Sequence, residues 1–243
     1  MTWTIALVAF TSGFFGPQTN EILHHRITLA SAYMEAGQDR QAEGTLQEAG
    51  KSVLDGGLAR AELLNAWSAL HLKRGQLSVA EGELTEAWEI AAQSPAAGDL
   101  RPTLLHNLAA AEMRTGRYAE ALDREREAIR VWEHTLSPDH PDLIRAYASL
   151  SSLEYMMGQP HEARLAMERA LASAARTYGP MDPLMADLLE SDALILDALR
   201  MKKQAQLERN RARKIRGFAH TGDDSPTWNI RESPDTQVHL RTK

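Results

Sequence analysis

Histidines and carboxylates are the residues of this chain whose chemistry must be weighed first, because imidazole both binds metals and moves protons near neutral pH. Two places group histidine with further ligand types: His24-His25 and Asp139-His140-Pro141-Asp142. Neighbouring residues on a helix point about 100° apart, so His24 and His25 do not easily converge on one ion. His140 lies in a linker bounded by prolines. Cysteine is absent, which removes thiolate metal sites, disulfides and cysteine nucleophiles together. No Gly-rich phosphate loop, G-x-S-x-G or H-E-x-x-H is present. The 33 acidic residues are scattered among Lys and Arg, and groups such as Glu162, Arg164 and Glu168 have the spacing of a solvated helix face. The expectation is a chain that is not an enzyme, with no metal and no cofactor.

The elements that would position these residues are legible from a repeat. Pairs of alanines seven residues apart occur five times: Ala42/Ala49, Ala80/Ala87, Ala121/Ala128, Ala163/Ala170 and Ala205/Ala212. Successive copies are 38, 41, 42 and 42 residues apart, and a glycine (Gly37, Gly75, Gly116, Gly158) stands five residues ahead of the first four pairs. Arg200 takes that place in the fifth. Strand formers are sparse, while Ala, Leu, Glu and Arg dominate, so the class is all-α. In the third copy, Leu104 to Met113 repeats apolar residues at three- and four-residue steps, Thr115-Gly116-Arg117 breaks the helix, and Tyr118 to Glu133 resumes it. The small alanines allow close helix approach, with Leu105, Leu108, Tyr118 and Ile129 filling the adjoining space. Units of this length form stacked helical hairpins.

A large residue followed by a small one precedes each glycine turn: Leu29-Ala30, Trp67-Ser68, Leu108-Ala109 and Leu150-Ser151. This resembles the tetratricopeptide repeat (TPR). Ser137-Pro138-Asp139-His140-Pro141 returns 42 residues later as Gly179-Pro180-Met181-Asp182-Pro183, which resembles the linker of the kinesin-light-chain type of TPR. Copies one and two are shorter and lack the proline linker. The resemblance implies a right-handed superhelix, an α-solenoid, of about five helix-turn-helix hairpins over residues 23–217, divided near 23–56, 57–99, 100–140, 141–182 and 183–217. Residues 1–22 precede it as an apolar segment, and residues 218–243 follow it as a polar tail. In the fifth copy Asp192 takes the slot of the large residue, and Lys202, Lys203, Arg209, Arg211, Arg213, Lys214 and Arg216 mark the second helix as a solvated cap.

In TPRs the first helix of each repeat lines a concave groove. The resemblance places His24, Thr28, Ser31, Glu62, Asn65, Lys73, Thr103, His106, Asn107, Arg114, Arg145, Ser149, Asp187 and Glu190 there. Family members that grip peptide carboxylates carry asparagine and a few basic residues in these slots, and Asn107 falls on the asparagine position. The candidate peptide-binding set is Asn65, Lys73, Thr103, His106, Asn107, Arg114, Arg145 and Ser149. An asparagine amide offers both a donor and an acceptor to a peptide backbone. The competing reading is that these are solvated residues of a groove without a peptide ligand.

Charge and termini complete the picture. Net charge is −6, but residues 201–243 hold 10 Lys/Arg against 5 Asp/Glu, leaving 17 against 28 elsewhere. An acidic body does not point to a nucleic-acid binder, and the basic end lacks aromatics interleaved before Phe218. Met1 to Asn20 contains no charged side chain. Its apolar run ends in small residues, like a secretory signal, yet no Lys or Arg precedes it and no A-x-A site follows. An exported or periplasmic location and a cytoplasmic one with an apolar cap therefore both stay open, and membrane contact is expected only through this segment. Trp228 and Ile230 either fold back on the last repeat or lie in a mobile tail. The sequence as a whole points to a non-catalytic interaction module or adaptor, binding a protein or peptide in the groove. The alternative is a regulatory or sensor protein whose superhelix responds to a ligand.

Overall fold

Four glycines and one arginine end the first helices of five hairpins in the computed structural model, which describes residues 16–53 and 57–220. The hairpins are α1 (Gly16–Glu35) with α2 (Asp39–Gly50), α3 (Leu58–Lys73) with α4 (Leu77–Ala92), α5 (Leu100–Arg114) with α6 (Tyr118–Thr135), α7 (Pro141–Met156) with α8 (Pro160–Thr177), and α9 (Pro183–Ala198) with α10 (Lys202–His220). A 3-10 turn, Pro95–Ala97, lies between the second and third. No strand occurs among the described residues. The first helix starts at Gly16, ahead of the expected boundary near residue 23, and the last runs to His220. Residues 1–15 and 221–243, and with them most of the apolar lead segment and of the tail, lie outside the described residues.

Each turn is built the same way. Gly37, Gly75, Gly116 and Gly158 take φ of 72°, 75°, 82° and 73°, the left-handed region that glycine enters without a Cβ penalty. The following N–H then reaches back five residues: Gln38 to the Tyr33 carbonyl, Gln76 to His71, Arg117 to Glu112 and Gln159 to Glu154, at 2.8–2.9 Å. That bond closes a Schellman motif and satisfies carbonyls the helix end would leave open. Arg200 keeps the same geometry at φ 62°, with Met201 N–H donating to the Leu196 carbonyl at 2.8 Å.

The alanine pairs are the contact points. All ten are 0% exposed, so a larger side chain there has no space to enter without moving a helix. Ala30, Ser68, Ala109 and Ser151 are also buried, and the Ser151 hydroxyl donates to the Ala163 carbonyl across the hairpin at 2.7 Å. Leu29, the large partner of Ala30, is 46% exposed because no hairpin precedes α1 among the described residues. Between hairpins, Leu105, Trp132, Leu143, Ile144, Met167, Met185 and Leu189 form a continuous core across the last three units. Full burial of each such side chain stabilises by about 1.5–3 kcal/mol.

The two proline linkers start their helices alike. Pro141 and Pro183 occupy the first turn, where a missing N–H is harmless. His140 Nδ1 accepts from the Asp142 N–H at 3.2 Å, and Asp182 accepts from the Leu184 N–H at 2.9 Å. His140 is thus a helix cap.

Each second helix packs on the first helix of the next hairpin. First helices of consecutive hairpins also touch one another, whereas second helices scarcely do among the described residues. The helices α1, α3, α5, α7 and α9 therefore form the inner, tighter row of the stack.

Candidate functional site

The inner row brings two of the sequence candidates into direct contact. Asn107 of α5 donates from Nδ2 to Oδ1 of Asn65 on α3 at 2.7 Å. Both are half-buried. The bond uses one donor of Asn107 and one acceptor position of Asn65, leaving the Asn65 amide N–H groups and Asn107 Oδ1 to meet a ligand. Ser149 of α7 occupies the register of Asn107 one repeat on and is also half-buried. Thr103, one turn before Asn107, bonds back to the Asp99 carbonyl at 2.9 Å, so its hydroxyl proton is used within α5. Arg145 pairs with Asp142 one turn away on its own helix and remains exposed.

Three other candidates are engaged inside the stack. Lys73 donates to the Met34 carbonyl and to Asp39 of the preceding hairpin. Arg114 donates to the Leu72 carbonyl. The two contacts are equivalent: in each, a cation just ahead of one turn caps the end of the previous inner helix, where carbonyls are unpaired and the helix dipole is negative. His106 turns into its own hairpin. Its Nδ1 lies 2.9 and 3.0 Å from the Glu125 carboxylate oxygens, and its ring is 5.7 Å from that of Trp132.

Glu125 is the residue that sequence reading missed. It is 0% exposed, four residues past Ala121, where the neighbouring repeats place Leu46, Leu84 and Met167. Burial pushes its carboxyl pKa up, against the opposing pull of His106. The available signal was an acid in an otherwise apolar register. Asp192 is a second such case, 1% exposed. Its Oδ1 accepts from Arg164 at 2.8 Å, while Oδ2 is buried without a partner among the described residues. Burial pushes its pKa up to about 6 against the pull of Arg164, with Glu208 and Glu168 adding to the rise.

At the start of the inner row, His24 faces Glu62 at 3.4 Å. At its far end, Asp187 and Glu190 are both engaged by Arg216 of α10. No group of three or more His, Asp or Glu side chains is arranged to hold a metal ion among the described residues. No described helix is long and apolar enough to cross a membrane. Two clefts of about 380 Å³ open toward the second helices instead. One is lined by Trp88, Arg101, Leu105 and Val131. In the other, Arg169 lies 5.5 Å over the Tyr147 ring and bonds Glu133.

Inner helices in contact, glycine turns and buried alanines at fixed register coincide with a match of residues 100–176 to the tetratricopeptide repeat family. The described residues have the fold of a tetratricopeptide repeat solenoid. Solved structures agree on the fold. A putative kinesin light chain from Podosopora anserina with nearly identical TPR-like repeats is 22% identical, over 82% of this chain and 97% of that one, at a TM-score of 0.61. BtubC (BKLC) from P. vanneervenii is 19% identical over 90% and 89%, at a TM-score of 0.69. A Rap protein complexed with competence and sporulation factor is 15% identical over 80% and 54%, at a TM-score of 0.67. No curated protein matches the sequence. The TPR solenoid of this chain thus resembles that of kinesin-light-chain proteins, as its proline-linked 42-residue units imply.

Proposed function

We propose that this TPR solenoid is a non-catalytic interaction module that binds an extended segment of a protein partner along its inner row. The observation that carries the reading is the Asn65–Asn107 amide pair, which presents a donor and an acceptor side by side on adjacent inner helices. An extended peptide exposes its own N–H and C=O groups in alternation, so one amide pair can read one residue's backbone without regard to its side chain. Ser149 and Arg145 continue the row on α7 toward the fifth hairpin. Lys73 and Arg114 are tied to the ends of neighbouring inner helices, so recognition rests on the side-chain amides of Asn65 and Asn107 and on Arg145 more than on a cluster of free cations. The preformed helices keep the ordering cost low on the solenoid side.

Selection of random 12-residue peptides on the full chain, followed by photo-crosslinking of an enriched peptide, tests this. Crosslinks to α3, α5 and α7 are expected. Crosslinks confined to α4, α6 and α8, or failure to enrich any sequence, would overturn the proposal. A change in radius of gyration on peptide binding would move the reading toward the regulatory alternative, in which the superhelix itself responds.

A further inference from the structure

Of the two outer clefts, the one at Tyr147 is built from parts of two hairpins: Glu133 comes from α6, Tyr147 from α7 and Arg169 from α8. Tyr147 is buried, and its hydroxyl donates to Glu133 Oε1 at 2.7 Å. Burial, and then the neighbouring Glu133 carboxylate, pushes the phenol pKa up, so the hydroxyl remains a donor. Arg169 stands over the same ring and donates from Nη1 to Glu133 Oε1 at 3.1 Å. That leaves Glu133 Oε2 and the Nε and Nη2 groups of Arg169 without a hydrogen bond among the described residues. Beside this pair the cleft is lined by Pro138, Leu143 and Ala172. Arg176 closes the far end with a bidentate bond to Asp139 at 2.6–3.0 Å.

The cleft one repeat earlier lacks this chemistry. Ala92, Leu105 and Glu127 stand there in the registers of Glu133, Tyr147 and Arg169. The paired charges are therefore particular to one cleft and are not required by the packing of the repeat. A carboxylate and a guanidinium in contact beside an apolar floor suit a small molecule with the opposite pair of charges and an apolar body. We propose that this cleft binds a free α-amino acid with an aliphatic side chain. The α-carboxylate takes the open N–H groups of Arg169 in a charge-assisted bond, and the α-ammonium donates to Glu133 Oε2. Both ligand charges sit on one carbon, which matches two protein groups already 3.1 Å apart. Each protein charge is balanced by the other, so a simple anion gains less here than a zwitterion. Tyr147 holds Glu133 in place before the ligand arrives, which lowers the ordering cost. The aliphatic side chain covers Pro138, Leu143 and Ala172. A volume of about 380 Å³ falls at the lower end of small-molecule sites, about 300–1,000 Å³. The bound ligand bridges the third and fourth hairpins, apart from the inner row and independently of peptide binding there.

Titration of the full chain with L-leucine, followed by saturation-transfer NMR of the leucine methyl protons, tests this. A Kd of about 1 mM is expected for so small a ligand in a cleft open to solvent. On the unmodified protein, N-acetyl-L-leucine, which lacks the ammonium, and L-leucinamide, which lacks the carboxylate, should each bind about tenfold more weakly. Glu133→Gln and Arg169→Ala should each weaken leucine binding by a similar factor, and Glu127→Ala in the earlier cleft should leave it unchanged. Glu133 and Arg169 are exposed, so helix content by circular dichroism should stay the same in both variants. Absence of saturable leucine binding up to about 10 mM, tenfold the expected Kd, would overturn the proposal. Binding that survives both substitutions would also overturn it. So would N-acetyl-L-leucine binding as tightly as leucine, which would make the cleft an anion site. The comparison of analogues needs no variant, so it stands even where a substitution lowers helix content.

Discussion

Arg200 holds a backbone conformation that the other four repeats give to glycine, at φ 62°. A left-handed non-glycine residue costs about 1–2 kcal/mol, partly offset by the larger entropy glycine loses on folding. Arg200→Gly is therefore expected to stabilise the fifth hairpin by about 1 kcal/mol, read as a thermal midpoint raised by about 2–4 °C. Asp192 makes a pH-dependent prediction. Its pKa rises from 3.8 to about 6 on folding, so the folded state binds more protons than the unfolded state between those values. Stability consequently falls as pH rises through that window, and the cost is fully present above it. Asp192→Leu restores the residue type of Leu108 and Leu150 in that register, and it leaves Arg164 paired with Glu168 at 3.3 Å. Thermal unfolding should show it more stable than the parent at pH 7, by about 1–3 kcal/mol, with the gain shrinking toward pH 4. An equal gain at both pH values would contradict the assignment. Sequence alone marked Asp192 as out of register but not its burial with an oxygen that has no partner among the described residues. Glu125 breaks the apolar register of Leu46, Leu84 and Met167, but a lone acid in a charged helix reads as solvated until the packing of α5 against α6 is known.

At the level of elements, the alanine pairs and turns carry the hairpins. Ala121→Leu, at a 0% exposed contact between α5 and α6, should cost about 1–3 kcal/mol through overpacking, measured by chemical denaturation. Arg114→Met tests whether that side chain belongs to the stack. It should lower stability by about 1 kcal/mol through loss of the bond to the Leu72 carbonyl, also seen in denaturation. The hairpins were legible because glycine turns and alanine contacts are local and recur at fixed spacing. The functions of Lys73 and Arg114 were not legible. Their acceptors are backbone carbonyls about 40 residues earlier, brought close only by stacking. The same holds for Asn65 and Asn107: each was identifiable as an inner-row residue, but their bond to one another exists only in the assembled solenoid.

Over the whole molecule, stability in a stack of hairpins is a sum of unit and nearest-neighbour terms, and an acidic body carries a basic final helix. The inner row around Asn65, Asn107 and Arg145 is polar and partly buried, suited to an extended backbone. The final face of α10 is cationic and uncovered among the described residues. The outer clefts at Trp88 and Tyr147 lie away from both. The central claim is that the paired amides of Asn65 and Asn107 read the partner's backbone, and calorimetric titration of a selected peptide tests it most directly. Asn107→Ala should weaken binding about five- to tenfold, as expected for one or two neutral hydrogen bonds. Arg169→Ala in the outer cleft should leave the Kd unchanged. A Kd for Asn107→Ala within twofold of the parent protein would contradict the account.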